Sequence, residues 1–163
     1  MRLYGVTGWK NCGKTGLMER LVTEFTGRGL SVSTVKHAHH AVDVDLPGTD
    51  SYRHRAAGAS EVILASARRV AIMQELRGAP EPDLGDLLAR LAPCDLVLVE
   101  GFKRAPHPKI EAHRVAAGTP LIAPGDASVR AVAADVALDL DRPVFNLNDT
   151  GGIADFVLAE VEL

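Results

Sequence analysis

Residues 8–15 read Gly-Trp-Lys-Asn-Cys-Gly-Lys-Thr, a complete G-x-x-x-x-G-K-[ST] phosphate loop. The chemistry of such a loop is anion capture. Its backbone N–H groups and the N-terminus of the helix behind it form a cradle for phosphate oxygens. The nucleotide-binding residues expected here are Gly8, Asn11, Cys12, Gly13, Lys14, Thr15 and Gly16. Lys14 would reach the β- and γ-phosphates, and Thr15 would offer its hydroxyl to Mg²⁺. A glycine-rich turn that matches by chance is the alternative, and the strand–loop–helix context argues against it.

Further polar clusters fall where strands should end. Glu100-Gly101-Phe102-Lys103 closes the most apolar run of the chain. An acid at that position of a phosphate-loop NTPase positions Mg²⁺ directly or through water, so Thr15 and Glu100 are the expected metal pair. Lys36-His37-Ala38-His39-His40, with Asp43 and Asp45 behind it, has three readings. It has ligand types for a metal, although the spacing matches no closed zinc pattern. It could instead face phosphate and Mg²⁺, with Lys36 and the imidazoles, His37 among them, on anionic groups and Asp43 or Asp45 touching a metal-bound water; Asp45 then joins Lys14 and Glu100 as an expected catalytic residue. It could also be a solvated loop.

Pro47–Ala59 contains Arg53 and Arg55, which cannot share one helical face. Either could clamp a phosphate bidentately or pair with a neighbouring acid. Lys109, Glu111 and His113 alternate onto one face, as a polar binding surface or as an ordinary solvent face. Asn146, Asn148 and Asp149 follow a candidate strand, and Asp149 could accept hydrogen bonds from a guanine edge, though the usual Asn-Lys-x-Asp motif is absent.

The elements that must position these groups alternate. Leu3–Val6 reads as a short buried strand, and Gly16–Arg28 as an amphipathic helix with Leu17, Leu21, Val22 and Phe25 on one face. Ser31–Lys36 reads as the second strand, and Asp50–Gly58 as a short helix. Glu61–Ala65 and Val70–Glu75 read as a hairpin that would lie beside a mainly parallel sheet. Asp83 can cap a helix over Leu84–Leu91. Asp95–Glu100 has the continuous apolar character of a central parallel strand. Later strands are expected at Pro120–Ala123, Val129–Ala133 and Pro143–Leu147, with a last helix over about Ile153–Val161. This alternation predicts a three-layer α/β/α P-loop NTPase fold, mainly parallel with one antiparallel hairpin, and ligands at the carboxyl ends of the strands.

The chain has 163 residues, which predicts a single nucleotide-binding domain over residues 1–163. It is 47% apolar and 24% charged, with a formal net charge of −3, which gives no reason to expect nucleic-acid or membrane-surface binding. It contains no run of 18 or more apolar residues, so no spanning helix is expected. Its N-terminus goes into a strand without the apolar core of a signal peptide. The two cysteines, Cys12 and Cys94, give no disulfide framework, which suits the cytoplasm.

Taken together and in order, several segments resemble the molybdopterin-guanine dinucleotide biosynthesis protein B (MobB) family. They are the phosphate loop, Lys36-His37-x-His39-His40, the Pro47–Ala59 segment with Asp50-Ser51-Tyr52-Arg53-His54-Arg55, Val99-Glu100-Gly101-Phe102-Lys103 and Pro108-Lys109-Ile110-Glu111. The resemblance covers essentially the whole chain. It implies a GTP- and Mg²⁺-binding protein with weak GTPase activity. Such a protein assists the molybdenum cofactor guanylyltransferase that joins GMP to molybdopterin, and it is expected to be a homodimer. It also implies that Gly13, Lys14 and Thr15 hold the phosphates and Mg²⁺, and that Glu100 is the acid of the second NTPase motif. Related dimeric NTPases often carry a further lysine at the second loop position, where this chain has Trp9. An ATP-dependent small-molecule kinase or ligase, and a non-catalytic module ordered by nucleotide, remain open as alternatives on the same fold.

Overall fold

The computed structural model describes residues 1–38 and 43–163. His39 and His40 lie outside the described residues. The chain forms two compact units, one from Met1–His37 with Leu84–Leu163 and one from Ala38–Asp83.

The first unit is built on a six-stranded parallel sheet. Its strands are β1 (Arg2–Thr7), β2 (Val32–Lys36), β5 (Leu96–Glu100), β6 (Lys109–His113), β7 (Val129–Ala134) and β8 (Val144–Asn146). They lie in the order β2-β5-β1-β6-β7-β8. The central strand β1 pairs with β5 from Arg2↔Leu96 to Val6↔Glu100, and with β6 from Gly5↔Lys109 to Thr7↔Glu111. Strands covered on both faces read as unbroken apolar runs, and all five residues of β5 are buried.

One face of this sheet is closed by helices α1 (Lys14–Gly27) and α4 (Thr150–Val161). Leu17, Leu21 and Phe25 of α1 and Ile153, Ala154 and Val157 of α4 share a buried cluster with Tyr4, Val6, Leu98, Ile110 and Ala131. The opposite face is closed differently. Leu84, Leu87 and Leu88 of the short helix α3 (Leu84–Leu88) pack against Val35, Val97 and Val99. Beyond them, among the described residues, no long helix intervenes, and Ala123 packs against Val129, Val132 and Ala134.

Strand β6 corrects the expectation for Lys109, Glu111 and His113. Their face is neither a binding surface nor a solvent face, because every residue of the strand is buried. Lys109 Nζ donates to Ser128 Oγ at 2.8 Å and to the carbonyl of Ala105. The Glu111 carboxylate accepts from the N–H groups of Ile122 and Ala123 at 2.8–3.0 Å. Buried loop backbone must find partners, and here the polar side chains of β6 supply them. The same bonds explain why Pro120–Ala123 is not a strand. Two of its N–H groups go to Glu111, and the segment runs into a 3-10 turn over Ala123–Gly125. The helix expected over Leu84–Leu91 ends at Leu88 and continues as turns.

The second unit contains α2 (Asp50–Ala56) and an antiparallel pair, β3 (Glu61–Ala65) and β4 (Val70–Gln74), in register from Glu61↔Gln74 to Ala65↔Val70. The hairpin forms where expected, and it is a two-stranded sheet of its own. Ser66 closes its turn, donating its N–H to the Arg69 carbonyl while its Oγ accepts from the N–H groups of Arg68 and Arg69.

Candidate functional site: a phosphate loop at the carboxyl edge of the sheet

The loop between β1 and α1 is shaped by backbone that few residues tolerate. Gly8 has φ +139°, and a Cβ there would stand 2.4 Å from the Ala112 carbonyl oxygen of β6. The loop therefore runs against the neighbouring strand, where only glycine fits. Gly13 precedes α1 with φ +91°, and no side chain caps the helix among the described residues. The first N–H groups of α1 are thus left pointing at the loop, with the positive end of the helix dipole behind them. Cys12 is buried, with Sγ 3.6 Å from Thr119 Oγ1, which anchors the middle of the loop from beneath.

Lys14 Nζ donates to the carbonyl of Trp9 at 2.6 Å, so its ammonium lies over the loop. Thr15 Oγ1 donates to Glu100 Oε1 at 3.3 Å. Glu100 stands at the carboxyl end of β5 and is only 8% exposed. The hydroxyl and the carboxylate converge as an oxygen pair suited to a hard divalent cation that keeps phosphate oxygens and water as its remaining ligands. Among the described residues no group of three or more His, Cys, Asp and Glu side chains forms a protein-only metal cage. Lys36 Nζ lies 3.5 Å from Glu100 Oε1, and the ring of His37 packs on that of Phe102 with centroids 4.7 Å apart.

Two cations beside the loop were not among the expected site residues. Lys103 Nζ sits over the Trp9 ring, 3.7 Å from its centroid. Burial, and then the nearby charge of Lys14, lower the Lys103 pKa from its ordinary value. Arg114 follows β6, and its Nε lies 3.0 Å from where a Cβ on Gly13 would be. Both occur in segments that stand out in the sequence, but their approach to the loop depends on how each strand is left.

At the far strands, Asp149 caps α4, its Oδ1 accepting from Gly152 N at 3.0 Å. Arg20 of α1 donates to the Leu147 carbonyl and to Thr150 Oγ1, fixing the chain between β8 and α4. Asp135, Phe145 and Asn146 help to line a cleft of about 280 Å³ at the ends of β7 and β8.

In the second unit, Arg55 is the hub of an ion network. Its guanidinium meets Glu75 at 2.6 Å, Asp43 at 2.8 Å and Asp45 at 3.4 Å. Arg55 therefore follows the ion-pair reading of the sequence. Asp45 Oδ1 also accepts from the hydroxyls of Thr49 and Ser51 and from Leu46 N. Burial pushes the Asp45 pKa up, but those hydroxyls and Arg55 outweigh it and hold the carboxyl below its usual range. These bonds order the turn before α2, whose N-cap Thr49 accepts from Tyr52 N. Arg53 is different, with a side chain 73% exposed and, among the described residues, only a loose 3.9 Å pairing to Asp50.

Known proteins share this architecture and sequence. The family model described as Molybdopterin guanine dinucleotide synthesis protein B matches residues 3–135. The molybdopterin-guanine dinucleotide biosynthesis adapter protein of Haemophilus influenzae is 45% identical over 158 residues, covering 95% of this chain and 86% of that protein. The adapter protein of the same description from Escherichia coli is 43% identical over 159 residues, covering 96% and 91%. A crystal structure of a MobB protein homolog from Bacillus stearothermophilus superposes with a TM-score of 0.74 at 31% identity, covering 99% of each chain.

Proposed function

Since this chain belongs to the molybdopterin guanine dinucleotide synthesis protein B (MobB) family, we propose that it is a GTP-binding accessory protein for attachment of GMP to molybdopterin. The observation that carries this reading is the phosphate loop, with Lys14 lying over it on the Trp9 carbonyl and Thr15 Oγ1 facing Glu100 at 3.3 Å.

In this reading the cradle of Gly8–Gly16 holds the β- and γ-phosphates, with Lys14 exchanging the Trp9 carbonyl for their oxygens. Thr15 and Glu100 hold Mg²⁺, which would neutralise charge on the phosphoryl oxygens. Glu100 also orients water toward the γ-phosphate, and Lys36 tempers its charge. Hydrolysis is weak in this reading, and Asp45, engaged by Thr49, Ser51 and Arg55, is a scaffold residue and not its general base. Arg53, with its exposed guanidinium, is the better candidate of the two arginines for an anionic group of molybdopterin. The base lies toward the cleft at the ends of β7 and β8, with Asp149 ordering the chain there as the cap of α4.

The partner in this reading is the guanylyltransferase, and the protein works as a homodimer in the cytoplasm. The exposed apolar side chains of the hairpin support a second copy. Ile63, Leu64, Val70 and Ile72 are each more than half exposed, which is an unusual concentration for one small hairpin. Among the described residues no helix is long and apolar enough to cross a membrane.

Calorimetric titration with GTP and with ATP, each with Mg²⁺, tests the reading. A clear GTP preference is expected, and equal or tighter ATP binding would move the assignment to a kinase- or ligase-like enzyme. Lys14→Ala is expected to remove most nucleotide binding. Glu100→Ala is expected to slow Mg²⁺-dependent hydrolysis by on the order of tenfold or more while affecting binding less. Normal hydrolysis by that variant would refute the role given to Glu100.

A further inference from the structure

We propose that Lys103 is a second phosphate-binding lysine of this site, stored on the Trp9 ring and transferred to the terminal phosphoryl group of a bound nucleoside triphosphate. The inference rests on the nucleotide-binding reading above and adds a residue to it.

Two ammonium groups converge on one residue of the loop. Lys14 Nζ is held by the Trp9 carbonyl at 2.6 Å, and Lys103 Nζ by the Trp9 ring at 3.7 Å. Trp9 is itself fixed, its Nε1 donating to the Pro120 carbonyl at 2.8 Å. Two neighbouring cations repel, and an anion set between them removes that repulsion. A partly exposed aromatic face holds a lysine weakly, whereas a phosphate oxygen offers a charge-assisted hydrogen bond. The direction of exchange follows from that difference.

The backbone is arranged to bring Lys103 there. Gly101 and Phe102 are consecutive left-handed residues, at φ +93° and +47°. A phenylalanine rarely adopts this conformation, and it persists only where its surroundings impose it. Those surroundings are visible. Gly101 N donates to the Val6 carbonyl at 3.2 Å, the Phe102 ring packs on His37, and Ala105 N closes the turn on the Phe102 carbonyl at 3.0 Å. A Cβ at Gly101 would stand 3.1 Å from His37 Cβ, so the close passage also requires glycine. Beneath, the buried ammonium of Lys109 donates to the Lys103 carbonyl at 3.4 Å, tying the backbone down while the side chain reaches the loop.

The test uses the full chain, whose single tryptophan is Trp9. Wild type and Lys103→Met are titrated with GTP and with GDP, each with Mg²⁺, by calorimetry and by Trp9 emission. Lys103→Met is expected to lose about tenfold in GTP affinity and little in GDP affinity. It is also expected to show a smaller change in Trp9 emission on GTP addition, with an unchanged melting temperature. Lys103→Gln serves the same comparison if the methionine variant does not fold. A wild-type ratio of GTP to GDP affinity in these variants overturns the proposal and leaves the nucleotide reading intact. Failure of the wild type to bind either nucleotide overturns both.

Discussion

The two faces of the parallel sheet are closed by different chemistry. On the face of α1 and α4, apolar side chains meet apolar side chains, and the pattern repeats with the period of a helix. On the other face, next to the small cluster under α3, the chain crosses from β5 to β6 and from β6 to β7 as loops. There Lys109 and Glu111 hold loop backbone by hydrogen bonds. His107 lies between, so close to β1 that a Cβ on Gly5 would come within 2.5 Å of its Nε2. A helix brings its own hydrogen bonds to a sheet, whereas a loop must be given them.

The difference can be broken at each face. Phe25→Ala on the helical face is expected to cost about 3–5 kcal/mol, through lost burial and a cavity, with little dependence on pH. Denaturant unfolding at pH 5 and pH 8 would measure it, and a strongly pH-dependent loss would contradict the apolar account. Glu111→Ala is expected to cost about 3 kcal/mol, because the N–H groups of Ile122 and Ala123 lose their acceptor. Hydrogen exchange should rise first over residues 119–125; protection that stays unchanged there would show that Glu111 is not the tie.

The smallest effect is the titration of His107. Burial, and then the charge of Lys109, depress its pKa to about 4, against the opposing pull of Asp126. Neither ring nitrogen has a hydrogen-bond partner among the described residues. Between pH 6.5 and 4 the unfolded chain therefore binds a proton that the folded chain does not. The stability contributed by the neutral ring is fully present above about pH 6.5 and is lost as pH falls, by about 2 kcal/mol at pH 5. His107→Phe should flatten that part of the pH profile, and an unaltered slope would assign the acid sensitivity elsewhere.

The same contrast explains what could be read in the sequence. The strand before Gly8, the helix carrying Leu17, Leu21 and Phe25, and the run ending at Glu100 were legible because their patterns follow from helical faces and doubly covered strands. Lys109 and Glu111 misled because alternating polar residues look alike whether they meet water or buried backbone. The hairpin was legible from its β-branched and apolar runs, but its separateness from the large sheet depends on pairing that local sequence does not record. At the candidate site, the motif placed Thr15 and Glu100 together, and they lie 3.3 Å apart. The approach of Lys103 to the Trp9 ring required knowledge of two consecutive left-handed residues, and a phenylalanine at one of them gave no warning. Asp149 was visible as a carboxylate after a strand, and its bond to Gly152 N follows from its place before α4.

Strand β1 also sets an order of assembly. It precedes both of its neighbours in the sheet, β5 and β6, which begin at Leu96 and Lys109. Pairing across such sequence distances is slow to form, because a long loop must close before any contact rewards it. A chain emerging from the ribosome thus carries the loop after β1 unpacked until β5 and β6 have followed it. The carbonyl of Ala112, against which Gly8 is packed, lies about a hundred residues further along the chain. The loop is thus made before the strands that shape it, and it takes its packed form only once β5 and β6 are in place.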